Sequence, residues 1–364
     1  MSTLLRSVWR SVAAVGVIVA LAGGASAQDK TSEAGDPAEI RALLTITDEA
    51  ATGKSTTSLP LKWEQHHFIK SHGDTTYVPF TVSIDSAAFT AATPIGLYVR
   101  VAKRGELPPT APAAASEGDA KKKKGKKDDT KGAGSQVDAR HQYQFEDVFF
   151  FDIPAPVAGQ PPLVRRAFAV SPGDYDVYVA LKEKTTAGAS AAPKIGVLKQ
   201  ELTVPSLAGA LTTSSVIISG KVDVLPAEIP SDRQAENPYT FGVMKIAPSL
   251  NSKFTKKDEL NVIFWIYGVG VDATTKKPHV EVEYLFHQKL ADGEKFFNKT
   301  DPQVMNAETL PPQFDLAAGH QLPGSLAVPL ASFPEGDYRL EVKVTDKTNG
   351  KAVTRESTFS VAAQ

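Results

Sequence analysis

From residue 59 onward, apolar and polar residues alternate with a period of two along most of the chain. Val78, Phe80, Val82 and Ile84 alternate with Tyr77, Pro79, Thr81 and Ser83. Leu97, Val99 and Val101 repeat the pattern, as do Tyr175, Val177, Val179 and Leu181, and then Leu198, Leu202 and Val204. Further runs are Leu260, Val262, Phe264 and Ile266; Val280, Val282, Tyr284 and Phe286; Tyr338, Leu340, Val342 and Val344; and finally Phe359 and Val361. Successive side chains of an extended chain point to opposite faces, so each run predicts a strand with one face on a core. Pro79 has no N–H to give to a ladder, which predicts that its strand lies at a sheet edge or carries a bulge. Phe149-Phe150-Phe151 is apolar on both faces and predicts a central strand packed on two sides.

One motif occurs twice. Gly173-Asp174-Tyr175 and Gly336-Asp337-Tyr338 each deliver a Tyr from a Gly-turn into an alternating strand, and each is followed by one more strand. Residues 77–85 match residues 260–268, and residues 95–102 match residues 280–287. This repeat predicts an all-β chain: two tandem immunoglobulin-like β-sandwich domains, with a long disordered insertion in the first. The first spans residues 57–205 and the second residues 206–364. Tyr175 and Tyr338 are candidate tyrosine corners, in which the hydroxyl bonds to upstream backbone; the plainer alternative is a core Tyr at a strand start.

Residues 1–27 read as a signal peptide. Arg6 and Arg10 supply the positive start, residues 12–22 the apolar run, and Ala25-Ser26-Ala27 the small-residue cleavage pattern. The chain is therefore expected to be exported, to periplasm or medium. The apolar run is too short to span a bilayer, and no later stretch offers a transmembrane span. Residues 28–56 are polar and expected to be a flexible segment. Within it Asp36-Pro37-Ala38-Glu39 resembles a capping box that predicts one short helix, which Thr45-Ile46-Thr47 then disfavours. With no Cys, there is no disulfide framework and no lipid-attachment thiol. A formal net charge of −1 predicts no overall attraction to nucleic acid.

The insertion, residues 104–140, is rich in Pro, Ala, Gly and Lys and has almost nothing to bury. Its Lys121, Lys122, Lys123, Lys124, Lys126 and Lys127 are a candidate polyanion contact, although Asp128 and Asp129 dilute the field and a solvated tether is the better explanation. Ile263, Trp265 and Tyr267 fall on the face opposite Val262, Phe264 and Ile266. They form a candidate partner surface, unless residues 296–326 or the first domain cover them. His66, His67 and His72 cluster in sequence, but neighbours in a strand point to opposite faces, which predicts solvated histidines and no metal site.

Residues 254–267, Phe254-Thr255-Lys256-Lys257-Asp258-Glu259-Leu260-Asn261-Val262-Ile263-Phe264-Trp265-Ile266-Tyr267, together with Phe333-Pro334-Glu335-Gly336-Asp337-Tyr338, resemble the β-sandwich module of secreted bacterial proteins that often also carry a GWxTD-type domain. The resemblance covers residues 237–361, and no Gly-Trp-x-Thr-Asp run occurs. It implies an exported immunoglobulin-like or fibronectin-III-like sandwich of uncharacterised function and carries over no catalytic residue.

No cofactor motif, Gly-x-Ser-x-Gly elbow or pairable carboxylates stand out. The expectation is a non-catalytic exported binding or scaffold protein of the cell envelope, with an envelope protein or polysaccharide as partner. Two other readings stay open: a carbohydrate-active or other hydrolase with an unfamiliar site, and an envelope assembly factor that adds a strand to a client along the edge inferred from Pro79.

Overall fold

The computed structural model describes residues 36–54, 57–85, 89, 91–105, 143–155, 157, 160–185 and 191–363. The signal-peptide expectation for residues 1–27 lies outside them. The first sandwich contains α1 (Pro37–Ala51), β1 (Leu61–His66), β2 (Ile69–Lys70), β3 (Thr76–Ile84), β4 (Thr93–Lys103), β5 (Phe145–Ile153), β6 (Leu163–Val170), β7 (Gly173–Glu183) and β8 (Ile195–Val204). One sheet places β3 between β6 and the β1/β2 pair; the other has the order β5-β4-β7-β8. Every ladder in both sheets is antiparallel. Their inner faces meet over Val78, Phe80, Val82, Leu97, Val99, Val177 and Val179, all essentially without exposure. Burial of a branched aliphatic or aromatic side chain contributes about 1.5–3 kcal/mol, so period-two patterning on two sheets is enough to close a core.

The second sandwich contains β9 (Thr212–Thr213), β10 (Ile217–Val224), β11 (Thr240–Phe241), β12 (Met244–Pro248), β13 (Lys253–Thr255), β14 (Glu259–Tyr267), β15 (Val280–Leu290), β16 (Gly293–Lys299), β17 (Gln303–Met305), β18 (Leu322–Pro329), β19 (Gly336–Asp346) and β20 (Lys351–Ala362). Its sheets have the orders β11-β12-β10-β14-β18, with β9 extending β10 along β14, and β13-β20-β19-β15-β16, with β17 also on β15. The sequence repeat is a structural one. β3 and β14, β4 and β15, β7 and β19, and β8 and β20 hold equivalent places, and the chain is an all-β pair of immunoglobulin-like sandwiches. The second domain adds the β11–β12 hairpin and a parallel β13–β20 contact.

Several expectations change. Residues 36–54 are not a free segment. Asp36 caps α1, accepting from the Ala38 amide at 2.9 Å, and Pro37 takes the first turn. The helix runs through Thr45-Ile46-Thr47 because its Glu39, Leu43 and Thr47 face is buried against the sheet; the threonine hydroxyls are accommodated by the carbonyls of Arg41 (2.9 Å) and Leu43 (2.8 Å). Leu43 packs without exposure on Tyr98 and Ala180, on the outer face of the β5-β4-β7-β8 sheet. Glu39 takes a 2.6 Å bond from Lys182, and Arg100 pairs with Asp48 at 2.6 Å, fastening both ends of the helix. Burial opposes the charge on Glu39, but Lys182 and the Thr185 amide outweigh it and hold the carboxyl below its usual range.

Pro79 is not on an edge strand: β3 has partners on both sides. Its carbonyl accepts from the His67 amide at 3.0 Å, so its missing N–H falls on the β1/β2 side, opposite the break between those strands. The edge invoked for strand addition is therefore absent. Phe149, Phe150 and Phe151 lie on β5, at an edge rather than in the centre. Both of its faces are nevertheless covered: Phe149 and Phe151 pack against the core and flank the Arg166 guanidinium at 4.6 and 4.5 Å, while Phe150 lies beside Gly96 and Leu43. The Lys-rich insertion connects β4 to β5. Its Lys121, Lys122, Lys123, Lys124, Lys126 and Lys127 lie outside the described residues.

Candidate functional site

The two Gly-turns place their tyrosines identically. Gly173 (φ +155°) and Gly336 (φ +140°) adopt a backbone that side chains disfavour, and the strand begins there. Two residues on, Tyr175 Oη donates to the Ser171 carbonyl at 2.7 Å, and Tyr338 Oη to the Pro334 carbonyl at 2.6 Å. Each hydroxyl reaches four residues back and pins its turn to the core. Burial raises the Tyr338 hydroxyl to about 12, so it stays protonated and able to donate. Both positions are architectural.

Strand β14 is apolar on both faces because both are covered. Leu260, Val262, Phe264 and Ile266 face the second core. Ile263, Trp265 and Tyr267, the candidate partner surface, are 3%, 2% and 8% exposed. They are a domain junction and present no free surface. Ile217, Tyr239, Phe241 and Ile246 of the second domain pack beside them, and Phe68, Ile69 and Tyr77 of the first close over the top. Phe241 sits 4.6 Å from Trp265 and 6.4 Å, edge-on, from Tyr77.

Polar groups lock the same junction. The Phe68 carbonyl accepts from the Ser215 amide and the Phe68 amide donates to Ser215 Oγ, both at 2.9 Å. The Lys70 amide donates to Tyr267 Oη at 3.1 Å, and Tyr77 Oη donates to the Pro238 carbonyl at 3.0 Å. Tyr239 Oη donates to the Pro79 carbonyl at 3.2 Å, so its 2.9 Å contact with His67 Nδ1 is one in which the histidine donates. His67 is thus buried, not solvated. Burial, with His66 adjacent, depresses it to about 3 and keeps the imidazole neutral. His72 is exposed. Among the described residues no group of three His, Asp or Glu stands close enough to hold a metal ion.

Beside this junction opens a cleft of about 570 Å³, bounded by His66 to Phe68 of the first domain, the connecting chain from Pro205 to Val216, and Arg355, Glu356 and Ser357 of β20. Clefts at domain junctions are the usual seats of ligands. Several lining groups are already committed: Ser214 Oγ accepts from the Trp265 amide at 3.0 Å and Ser206 Oγ bonds Asp74 at 3.1 Å. Arg355 is different. It stands opposite Val342, and Val342 is fully buried in the core, so the arginine occupies the inward register of β20 at the mouth of the sandwich. Its guanidinium donates to Thr212 Oγ1 at 2.9 Å and to the Thr354 carbonyl at 3.3 Å. Sequence reasoning missed this residue. The available signal was the lapse of the inward apolar series at Arg355 and Ser357, between Val353 and Phe359.

Two other polar clusters are self-satisfied. Arg339 gathers Glu294, Glu341 and Glu356 at 2.8, 2.9 and 2.7 Å on the outer face of β19. Asp346, fully buried, accepts from the Gly270 amide (2.7 Å), the Thr348 amide (2.9 Å) and Asn349 Nδ2 (2.8 Å). The long connection between β16 and β18 is tied down by Lys277, whose ammonium donates to the carbonyls of Pro312 (2.7 Å) and Phe314.

No known family model matches the chain, and no curated protein does. The resemblance to GWxTD-associated modules thus rests on the quoted residues alone. Among solved structures the chain is similar to Escherichia coli alpha-2-macroglobulin activated by porcine elastase, at 12% identity and a TM-score of 0.21, over 85% of this chain and 24% of that one. A structure titled pT26-6p matches at 10% identity and a TM-score of 0.20, over 91% of this chain and 70% of that one. The native conformation of the E. coli macroglobulin matches at 10% identity and a TM-score of 0.20, over 84% of this chain and 16% of that one. The chain spans a quarter or less of the macroglobulin's length, and at TM-scores this low the likeness carries over neither a fold nor a role. Among the described residues no helix is long and apolar enough to cross a membrane.

Proposed function

We propose that this chain is an exported, non-catalytic binding protein of the cell envelope, and that its ligand seats in the cleft beside the domain junction. One observation carries the reading: a roomy, polar-lined cleft lies where two domains are locked together, and an arginine with no carboxylate partner among the described residues stands at its mouth. A cleft built from a fixed junction is pre-organised, so little ordering opposes binding. Periplasm or medium as the compartment follows from the leader pattern of residues 1–27. Mass analysis of the exported protein tests that step, with Gln28 expected as the first residue.

The cleft is tested by filling it. Thr212 is half-buried on its wall, and Thr212→Trp places an indole in the opening. Wild-type protein is expected to retain an envelope polysaccharide fraction on a column, and the variant to lose it with an unchanged circular dichroism spectrum. Equal retention by both proteins would remove the cleft from the reading.

A further inference from the structure

We infer that the cleft selects an acidic polysaccharide, with an oxyanion on a sugar held by Arg355. The inference rests on the reading of the cleft as the ligand seat and adds the ligand's chemistry. An inward-facing register position on β20 ordinarily carries an apolar side chain, as Phe359 and Val361 do. Arg355 instead brings five N–H donors in a planar fork, of which the Thr212 hydroxyl and the Thr354 carbonyl use two. No carboxylate among the described residues lies within ion-pair distance of it. A guanidinium fork left with spare donors matches a carboxylate or sulfate in geometry as well as charge.

His66 adds a donor to the same cleft. Its Nδ1 accepts from Trp63 Nε1 at 3.2 Å, so in the neutral ring the proton sits on Nε2. Burial holds the His66 pKa below its ordinary value, and the ring is neutral at neutral pH. Glu356 also lines the cleft, but Arg339 holds its carboxylate at 2.7 Å, so the charge left uncommitted there is the Arg355 guanidinium, which suits an anionic, acceptor-rich ligand. The rings of His66 and Phe68, in a T-shaped contact with centroids 5.0 Å apart, supply an apolar wall of the kind on which a sugar ring rests. The lining backbone favours a glycan over an extended peptide. The Ser214 amide is spent on the Trp265 carbonyl and both backbone groups of Phe68 on Ser215, so these lining groups are not free to pair with an added strand.

The test is calorimetric titration of the full chain with a uronic-acid oligosaccharide, its sulfated counterpart, its carboxyl-reduced neutral counterpart, and an acidic peptide of equal charge. The uronate or the sulfated sugar is expected to bind about ten- to a hundredfold more tightly than the neutral one, and whichever is tighter identifies the oxyanion. Arg355→Gln, which keeps a donor for Thr212, is expected to erase that preference, while Arg355→Lys keeps the charge without the fork and retains only part of it. Equal binding of acidic and neutral sugars, both lost in Thr212→Trp, would overturn the charge selection and leave the cleft standing. Absence of any binding, or binding untouched by Thr212→Trp, would overturn the cleft itself. Tighter binding of the peptide would overturn the glycan assignment.

Discussion

Acid should loosen the domain junction through His67. The imidazole is 8% exposed and donates through Nδ1 to Tyr239 Oη across the junction. Its pKa falls from 6.5 to about 3, mainly by desolvation. Between those values the unfolded chain binds a proton that the folded chain refuses. The neutral ring's contribution is therefore complete above pH 6.5, declines as pH falls, and levels off near pH 3. One pKa unit corresponds to about 1.4 kcal/mol, so going from pH 7.5 to pH 5 should destabilise the fold by about 2 kcal/mol through this group alone. Carboxyls held low, such as Glu39 and Glu64, lose their contribution only below about 4.5 and stay out of this window. Urea unfolding followed by tryptophan fluorescence at the two pH values reads the effect, since Trp265 lies in the junction. His67→Gln keeps a donor for Tyr239 and cannot titrate, so its stability should change by about 2 kcal/mol less over the same interval. An equal decline in both proteins would refute the assignment of acid sensitivity to His67.

Other consequences are as direct. Trp265→Ala empties a 2%-exposed site and should destabilise by about 3–5 kcal/mol, seen as a lower unfolding midpoint; a near-neutral effect would contradict its place in the junction. Tyr175→Phe and Tyr338→Phe each remove one hydroxyl bond and should each lower stability by about 1 kcal/mol in chemical denaturation, with similar values because the two bonds are alike. Glu39→Gln leaves the Lys182 ammonium without its carboxylate in a site where the lysine side chain is 9% exposed. Hydrogen exchange across α1 should then accelerate while β7 stays protected; unchanged α1 protection would show that the ion pair does not hold the helix. Gly324→Ala places a methyl 2.2 Å from the Phe264 ring and should destabilise by about 1–3 kcal/mol through overpacking, read as a lower melting temperature.

The architecture was legible in the sequence for a local reason. Alternation assigns each side chain to a face, and the Gly-Asp-Tyr repeat marks the same strand twice, so strand identity and order needed no long-range information. The helix was harder, because Thr45 and Thr47 disfavour helices on average and only burial of the Glu39, Leu43 and Thr47 face against the sheet resolves the conflict. Pro79 misled because a missing donor implies a gap in a neighbouring ladder without saying which strand carries the gap; here the neighbour breaks between β1 and β2.

What covers a face is a different matter. Ile263, Trp265 and Tyr267 had to point away from the second core, and their spacing alone established that. Whether they met water or another domain depended on Phe68, Ile69 and Tyr77, about two hundred residues earlier in the chain. The cleft is still less visible from sequence, since His66, Thr212 and Arg355 come together only because the junction fixes one sandwich against the other. Sequence pattern by itself determined strands, faces and the doubling of the fold, because these follow from neighbours along the chain. Tertiary structure alone decided burial of the outer aromatics and the assembly of a donor-rich cleft, because both arise from contacts between distant segments that no local periodicity encodes.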